Sequence, residues 1–151
     1  MIHWYTNDKV AVFFDKIPQV GVRYSTPSMS KEEKKSVEKF PFICRQDLKV
    51  CIKDFRKNKE YNFTIPKGYC YDGASIPRFF WRVIGSKTDN RFLVPALVHD
   101  ILCEYHGYIN NDRGLSTEVF NALLEGSGIN PFKRFCMKNS VACFQTLMCG
   151  W

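Results

Sequence analysis

Residues 65–106 read IPKGYCYDGASIPRFFWRVIGSKTDNRFLVPALVHDILCEYH, and they hold both polar clusters on which the interpretation of the chain depends. The first cluster begins at Asp72 and the second is the pair His99-Asp100, each flanked by large apolar side chains. Because an unpaired buried charge is costly, ionisable groups in such surroundings are either paired or functional. Four side chains are therefore the candidate site residues: Asp72, Ser75, His99 and Asp100.

The chain before this stretch alternates apolar and polar residues with a period of two, which is typical of half-buried strands. The alternation predicts a strand at 20–24 and a hairpin formed by 49–55 and 61–65, and a short apolar run predicts a strand at 10–14. The hairpin tip, at Lys57 to Lys59, is basic and is the best local candidate for a phosphate contact.

Helical signals dominate the second half of the chain. The clearest predicted helix runs from Pro95 to His106, with Pro95 in its first turn and Gly107 as its C-terminal cap. Two of the other predicted helices are a short one opened by Pro77 and one over 117–125, capped by Ser116 and ended by Gly126. The last runs from Pro131 to about Met148, and its predicted core contacts are Phe132, Phe135, Cys136, Val141 (or Ala142) and Phe144.

Strands first and helices later predict an α+β fold, with a small N-terminal antiparallel sheet packed against a C-terminal group of about three helices. We expect one domain over 1–151, strand-rich in 1–66 and helix-rich in 77–151. After the first two predicted strands, Ser30 and Glu33 have the spacing of a helix-capping box. The segment 25–39 is therefore either a short solvated helix or a mobile loop or arm that contacts a neighbour.

Composition narrows the class of protein. The chain has 151 residues, a formal net charge of +7 and 15% aromatic residues, which predicts a packed globule with no transmembrane span. The positive charge leaves a nucleic-acid partner open, although no nucleic-acid-binding motif is present. No secretory signal peptide is visible, so we expect synthesis in the cytoplasm.

The four candidate residues support two interpretations. A His with two carboxylates can hold a divalent cation such as zinc or manganese and activate water, with His99, Asp100 and Asp72 as the ligands. Alternatively, the same residues form a structural polar cluster that locks the turn to the helix, with no cofactor. A second metal hypothesis uses His99, Cys103 and His106, which share one face of the predicted helix.

Asp72-Gly-Ala-Ser-Ile-Pro77, followed by Pro-Ala-Leu-x-His99-Asp100, resembles the phage-encoded family of unknown function DUF1353. Downstream, Arg113 and Phe120 match the family pattern, and Thr117 stands where members usually carry an Asp. The resemblance implies a bacteriophage or prophage origin and no established activity.

These observations lead to two functional hypotheses. The first is a virion or assembly-associated protein of the tail or neck region, which docks on other phage structural proteins and uses the polar cluster only for folding. The second is a small phage metal-dependent hydrolase in which Asp72, Ser75, His99 and Asp100 are catalytic. The first predicts that the protein resides in the virion after its synthesis in the host cytoplasm.

Overall fold

The computed structural model describes residues 1–72 and 90–144. The strands in this part of the chain are β1 (Ile2–Thr6), β2 (Val10–Phe14), β3 (Val20–Val22), β4 (Phe42–Cys44), β5 (Leu48–Asp54), β6 (Lys59–Ile65) and β7 (Cys70–Tyr71). The helices are α1 (Lys31–Lys39), α2 (Asn90–Glu104), α3 (His106–Ile109), α4 (Arg113–Gly126) and α5 (Pro131–Phe144). Strands precede most of the helices, which confirms the predicted α+β class.

The larger sheet is antiparallel and has the strand order β1-β2-β5-β6. Its inner face carries the buried members of the period-2 pattern, and Val12, Ile52 and Tyr61 form one row across three strands. The predicted hairpin is confirmed as β5 and β6, and its turn begins at Phe55. Asn58 adopts φ 52°, a left-handed conformation that asparagine tolerates and that closes the turn.

A second sheet, which the sequence pattern did not separate from the first, has the order β3-β4-β7. Its strands are only two or three residues long. Strand β4 is paired on both sides, with β3 and with β7. This small sheet fixes the position of β7, and thereby of the polar residue that follows it.

Helix α1 confirms the capping signal, since the Ser30 hydroxyl accepts a hydrogen bond from the Glu33 N–H. Val37 is the buried residue of this helix. The rest of α1 carries mixed charges toward solvent, as the sequence predicts for a solvated helix.

Helix α2 begins and ends differently from the prediction. It starts at Asn90, which leaves Pro95 inside the helix, and it ends at Glu104. Gly107 does not cap it; the chain continues into the short helix α3, and Asn110 takes the left-handed cap position with φ 65°. The error has a physical origin: proline favours the first turn but is tolerated further in, and asparagine can replace glycine in a left-handed cap.

Helix α4 is capped by Asp112, and not by Ser116 as the spacing predicts. The Asp112 carboxylate accepts a hydrogen bond of 2.6 Å from the Leu115 N–H. Ser116 lies inside the helix, fully buried, and its hydroxyl donates to the Arg113 carbonyl. Gly126 is the last residue of this helix, as predicted.

Helix α5 begins at Pro131 as predicted, and the structure describes it as far as Phe144. Two of its predicted core residues are wrong, because Phe132 and Phe135 are 66% and 67% exposed, whereas Cys136 packs against the core and Met137 is fully buried. The side chains of Val141, Ala142 and Phe144 lie outside the described residues. The predicted end near Met148 lies outside the described residues, as does the short helix expected after Pro77. Within residues 1–72 and 90–144, no helix is long and apolar enough to cross a membrane.

The basic hairpin tip is held by carboxylates. Arg56 makes two hydrogen bonds of 3.0 Å to the buried Asp54 carboxylate, and it reaches Asp112 at 3.4 Å. Lys57 forms an ion pair with Asp112 as well. These pairs join the hairpin to the start of α4, and they use Lys57, one of the two lysines of the tip that the sequence offered for a phosphate contact.

We predict that Asp112→Ala lowers the free energy of unfolding by about 1–2 kcal/mol, the usual cost of removing a helix cap. Partial burial opposes ionisation of Asp112, but Lys57, the Leu115 N–H and Arg56 outweigh it, and the pKa of Asp112 is lowered. The stability due to its charge is therefore complete above the ordinary aspartate pKa and is lost as the pH falls through the lowered pKa.

Urea unfolding from pH 7 down to pH 2 measures this effect. Asp112→Asn is the matched control, because asparagine can still cap the helix but carries no charge. We expect the Asn variant to be less stable than the wild type at pH 7 and the two to converge at the acid end. A difference that does not change with pH would contradict the role of the charge.

Candidate functional site

The candidate site residues come from two elements. Asp72 directly follows β7, and His99 and Asp100 are consecutive residues of α2. Ser75, the fourth predicted residue, lies outside the described residues. For Asp72, His99 and Asp100, the structure shows how the end of β7 contacts α2.

Tyr71, the last residue of β7, anchors the strand to α2. Its hydroxyl donates a 3.0 Å hydrogen bond to the Leu93 carbonyl, and its side chain is almost completely buried. Phe42 of the neighbouring strand packs on the ring, with a centroid distance of 5.7 Å. These contacts leave Asp72 close to the middle of the helix.

Asp72 and Asp100 are the pair that the fold brings together. Their carboxyl groups are in hydrogen-bond contact, and the Asp72 main-chain N–H also donates to Asp100. The Asp100 side chain is only 15% exposed. Burial, followed by the charge and hydrogen bond of Asp72, raises the pKa of Asp100 well above its ordinary value. The raised pKa favours the protonated form of Asp100, which can donate a hydrogen bond to Asp72.

His99 faces another direction. Consecutive residues of a helix point about 100° apart, and the His99 ring packs on Phe120 of α4 with a centroid distance of 5.1 Å. His99 is 4% exposed, and its Nδ1 lies 3.7 Å from Asp100 Oδ1, beyond a good hydrogen bond. Residues 73–77 of the turn lie outside the described residues, and Asp72, the described residue of that cluster, meets Asp100.

Tyr69 and Glu104 extend the polar cluster, and neither was among the site residues predicted from the sequence. The Tyr69 hydroxyl donates a 2.5 Å hydrogen bond to Glu104 Oε2, one turn of α2 beyond Asp100. Burial, followed by the hydrogen bond and charge of Glu104, raises the pKa of Tyr69, so its hydroxyl stays protonated. The Tyr69 and Tyr71 rings lie nearly parallel. The spacing of Asp100 and Glu104 was visible in the sequence, but their tyrosine and aspartate partners depend on the position of β7.

The second metal hypothesis requires a continuous helix, and the helix does not continue. Cys103 Sγ lies 3.6 Å from His99 Nε2, but α2 ends at Glu104 and His106 begins α3. The spacing of seven residues therefore no longer places His106 on the face of His99. Among residues 1–72 and 90–144, no group of three or more His, Cys, Asp or Glu side chains could hold a metal ion.

The arrangement has a defined chemical capacity. A protonated Asp100 can donate a hydrogen bond to Asp72, and the carboxyl pair can exchange one proton with a ligand that reaches it. The same proton sharing also fixes the end of β7 on α2 without leaving a second buried charge. The protonation of Asp100 is central to the structural interpretation, whereas a metal ligand at this position has to be the ionised carboxylate.

We predict that Asp100→Asn is tolerated and becomes more stable relative to the wild type as the pH rises. The raised pKa of Asp100 means that the folded state binds more protons than the unfolded state above the ordinary aspartate pKa. Wild-type stability therefore falls from that pH until the pH passes the raised pKa, whereas asparagine has no proton to lose. Asp100→Ala, which removes both hydrogen bonds, should cost on the order of 1–3 kcal/mol at every pH.

Chemical unfolding of the three proteins between pH 4 and pH 9 tests this prediction. A constant difference between the wild type and Asp100→Asn over that range would show that the Asp100 carboxyl does not hold the proton.

Comparisons with known proteins show what this chain is similar to. An uncharacterized protein, y4jT, from Sinorhizobium fredii (strain NBRC 101917 / NGR234) is 42% identical over 80 residues, which are 53% of this chain and 23% of that protein. The chain thus spans less than a quarter of the length of this relative. No solved structure matches the chain. A family model matches residues 50–141, and the chain therefore belongs to the family described as a protein of unknown function, DUF1353.

Proposed function

We propose that this protein is a bacteriophage virion or assembly-associated protein of the tail or neck region, and that it acts by docking on other phage structural proteins. The observation that carries the proposal is the exposure of large aromatic side chains outside a well-filled core. Tyr108 is 88% exposed, and Phe132 and Phe135 are each exposed by about two thirds. The phage context comes from the resemblance of the Asp72 and His99-Asp100 motifs, and with it the expected location in the virion.

The exposed aromatic residues of α5 occupy one side of the helix. Phe132 and Phe135 are three residues apart and so lie on one face, while Met137 of the same helix is fully buried. A single exposed apolar residue needs no explanation, but two adjacent phenylalanines form a patch that is costly to leave in water. We call Phe132 and Phe135 the α5 patch, and we propose that a neighbouring subunit covers it.

The polar cluster supports docking without requiring catalysis. His99 is buried against Phe120, and Asp100 is committed to Asp72. A substrate would have to displace one of these contacts to reach a reactive atom. In the docking proposal the cluster only joins β7 to α2 and keeps the fold rigid.

A complementation experiment tests the proposed function. A phage that lacks the gene is supplied with the wild type, with Phe132→Ser/Phe135→Ser, or with Ile17→Ser, and purified particles are analysed by quantitative mass spectrometry. We expect the double variant to be incorporated at least about tenfold less than the wild type, because losing the burial of two phenylalanines exceeds the roughly 1.4 kcal/mol that corresponds to tenfold.

Ile17→Ser is the control, since Ile17 is 66% exposed and is not part of α5. Both variants should keep the wild-type melting temperature, because none of the three side chains belongs to the core. Absence of the wild-type protein from particles and from assembly intermediates would overturn the proposal. Normal incorporation of the double variant would remove the α5 patch from it.

The metal-dependent hydrolase is the second candidate, and the raised pKa of Asp100 beside a buried His99 favours it. Strongly shifted acids paired with another ionisable group are common at catalytic sites. Ser75 would join Asp72, His99 and Asp100 in this site, with zinc or manganese as the metal. The described residues supply only part of a ligand set, so the remaining donors would have to come from elsewhere.

Elemental analysis of the purified protein, wild type beside His99→Ala, distinguishes the two candidates. The docking proposal predicts no stoichiometric metal in either protein. Zinc or manganese bound at one equivalent in the wild type and lost in a folded His99→Ala variant would favour the hydrolase. His99→Phe serves as a second variant, because its ring can retain the contact with Phe120 without a metal-binding nitrogen.

A further inference from the structure

Strand β6 forms one edge of the larger sheet, and a groove runs alongside it. The groove has a volume of about 540 Å³ and lies between β6 and the helices α2 and α3. Its strand wall includes Asn62, Thr64 and Pro66, and its helical wall is formed by Ile101, Tyr105, Tyr108 and Ile109. The helical wall is apolar and aromatic, and Tyr105 and Tyr108 are exposed to solvent at its rim.

The register shows which main-chain groups of β6 face this groove. Lys49 bonds Asp15 through both its N–H and its carbonyl, on the β2 side of β5. Antiparallel strands alternate the direction of these groups, so the next residue, Val50, bonds β6. Val50 pairs with Phe63, and the N–H and carbonyl groups of Asn62 and Thr64 therefore point away from β5, toward the groove.

We propose that the groove binds an extended segment of a partner protein, which adds to β6 as a fifth strand of the sheet. The outward N–H and carbonyl groups of Asn62 and Thr64 supply the main-chain hydrogen bonds. The inward-facing side chains of the added strand pack on Ile101, Ile109 and the two tyrosines. Strand addition to a free edge uses this combination of main-chain bonds and side-chain pockets.

Charge further defines the occupant. Lys59 stands at the start of β6 and Lys67 lies two residues beyond its end, and both are exposed. Lysines at a sheet edge oppose the approach of another basic strand, and they favour acidic residues at the ends of the added segment. The expected segment is therefore extended, apolar at alternate positions and flanked by Asp or Glu.

This inference deepens the proposed docking function and rests on it, because it assigns one docking surface to one kind of partner. It is independent of the α5 patch. It is also independent of the polar cluster, since none of Asp72, His99 and Asp100 lines the groove.

The test uses the full chain and a synthetic peptide, acetyl-Asp-Val-Thr-Val-Thr-Val-Asp-amide. Isothermal titration calorimetry measures its binding, and hydrogen exchange followed by NMR measures the protection of individual amides. We expect saturable binding, with the Asn62 and Thr64 amides exchanging quickly in the free protein and slowly in the complex. The same peptide with methylated backbone amides should not bind, because it cannot donate main-chain hydrogen bonds.

Thr64→Pro removes one outward N–H, and a proline on a sheet edge leaves the pairing with β5 intact. Losing that bond, together with the added bulk of the ring, should weaken the peptide by about tenfold or more, which corresponds to roughly 1.4 kcal/mol. Thr64→Val, the matched control, keeps the N–H and should bind like the wild type. Tyr108→Ala should weaken binding without unfolding the protein, because this side chain is almost fully exposed.

Three outcomes would overturn strand addition: no saturable binding of the peptide to the wild type, equal binding of the methylated peptide, or a dimer that Thr64→Pro dissociates. The second would show an apolar groove without strand pairing, and the third would assign the edge to a second copy of this chain. Incorporation into phage particles distinguishes a failure of this inference from a failure of the proposed function. If Thr64→Pro assembles normally and the peptide fails, only this inference falls. If the wild type is absent from particles and the peptide binds, the virion proposal falls and the groove stands.

Discussion

The burial of α2 is the constraint on which the rest of the structure depends. The helix is apolar around most of its circumference, with Phe92, Leu97 and Leu102 among its fully covered residues. A helix of this kind must be enclosed, because each large apolar side chain returned to water costs about 1.5–3 kcal/mol. Helix α4 packs along it, and the end of β7 is hydrogen-bonded to it through Tyr71.

Enclosing α2 also encloses its polar residues, and each of them requires a partner. Asp100 contacts Asp72, Glu104 accepts a hydrogen bond from Tyr69, and the His99 ring packs on Phe120. A buried carboxyl group costs less free energy when it is protonated, and burial accordingly raises the pKa of Asp100. The polar cluster thus follows from the position of the helix, whether or not a ligand ever reaches it.

The sequence predicted the elements better than their ends. The strands β5 and β6 followed from period-2 alternation, because register and burial both depend on that period, and β2 followed from a short apolar run. The predicted helix ends were wrong where two residues could fill the same capping position. Asp112 caps α4 in place of Ser116, and Asn110 takes the cap position expected of Gly107. Such choices depend on tertiary partners, here Arg56 and Lys57 beside Asp112, which no local pattern contains.

The sequence offered candidate residues for a site but not their pairing. It named Asp72, His99 and Asp100 as candidates, but which residue of the helix meets the end of β7 depends on the rotation of α2, which its nearly uniform hydrophobicity leaves undefined. The same difficulty misplaced the core face of α5, where Phe132 and Phe135 are as apolar as the residues that are buried. Where apolar residues surround a helix, its orientation is decided by packing between elements.

Thr117 connects the family resemblance to the choice between docking and catalysis. It precedes Phe120 by three residues, so both lie on one side of α4, and Phe120 contacts His99. Members of the family usually carry an Asp at the position of Thr117. A carboxylate there would stand one turn from that contact and could orient the imidazole for catalysis. Here the Thr117 hydroxyl donates to the Arg113 carbonyl of its own helix. A threonine cannot supply the charge that would orient His99, and this favours a structural role for the cluster.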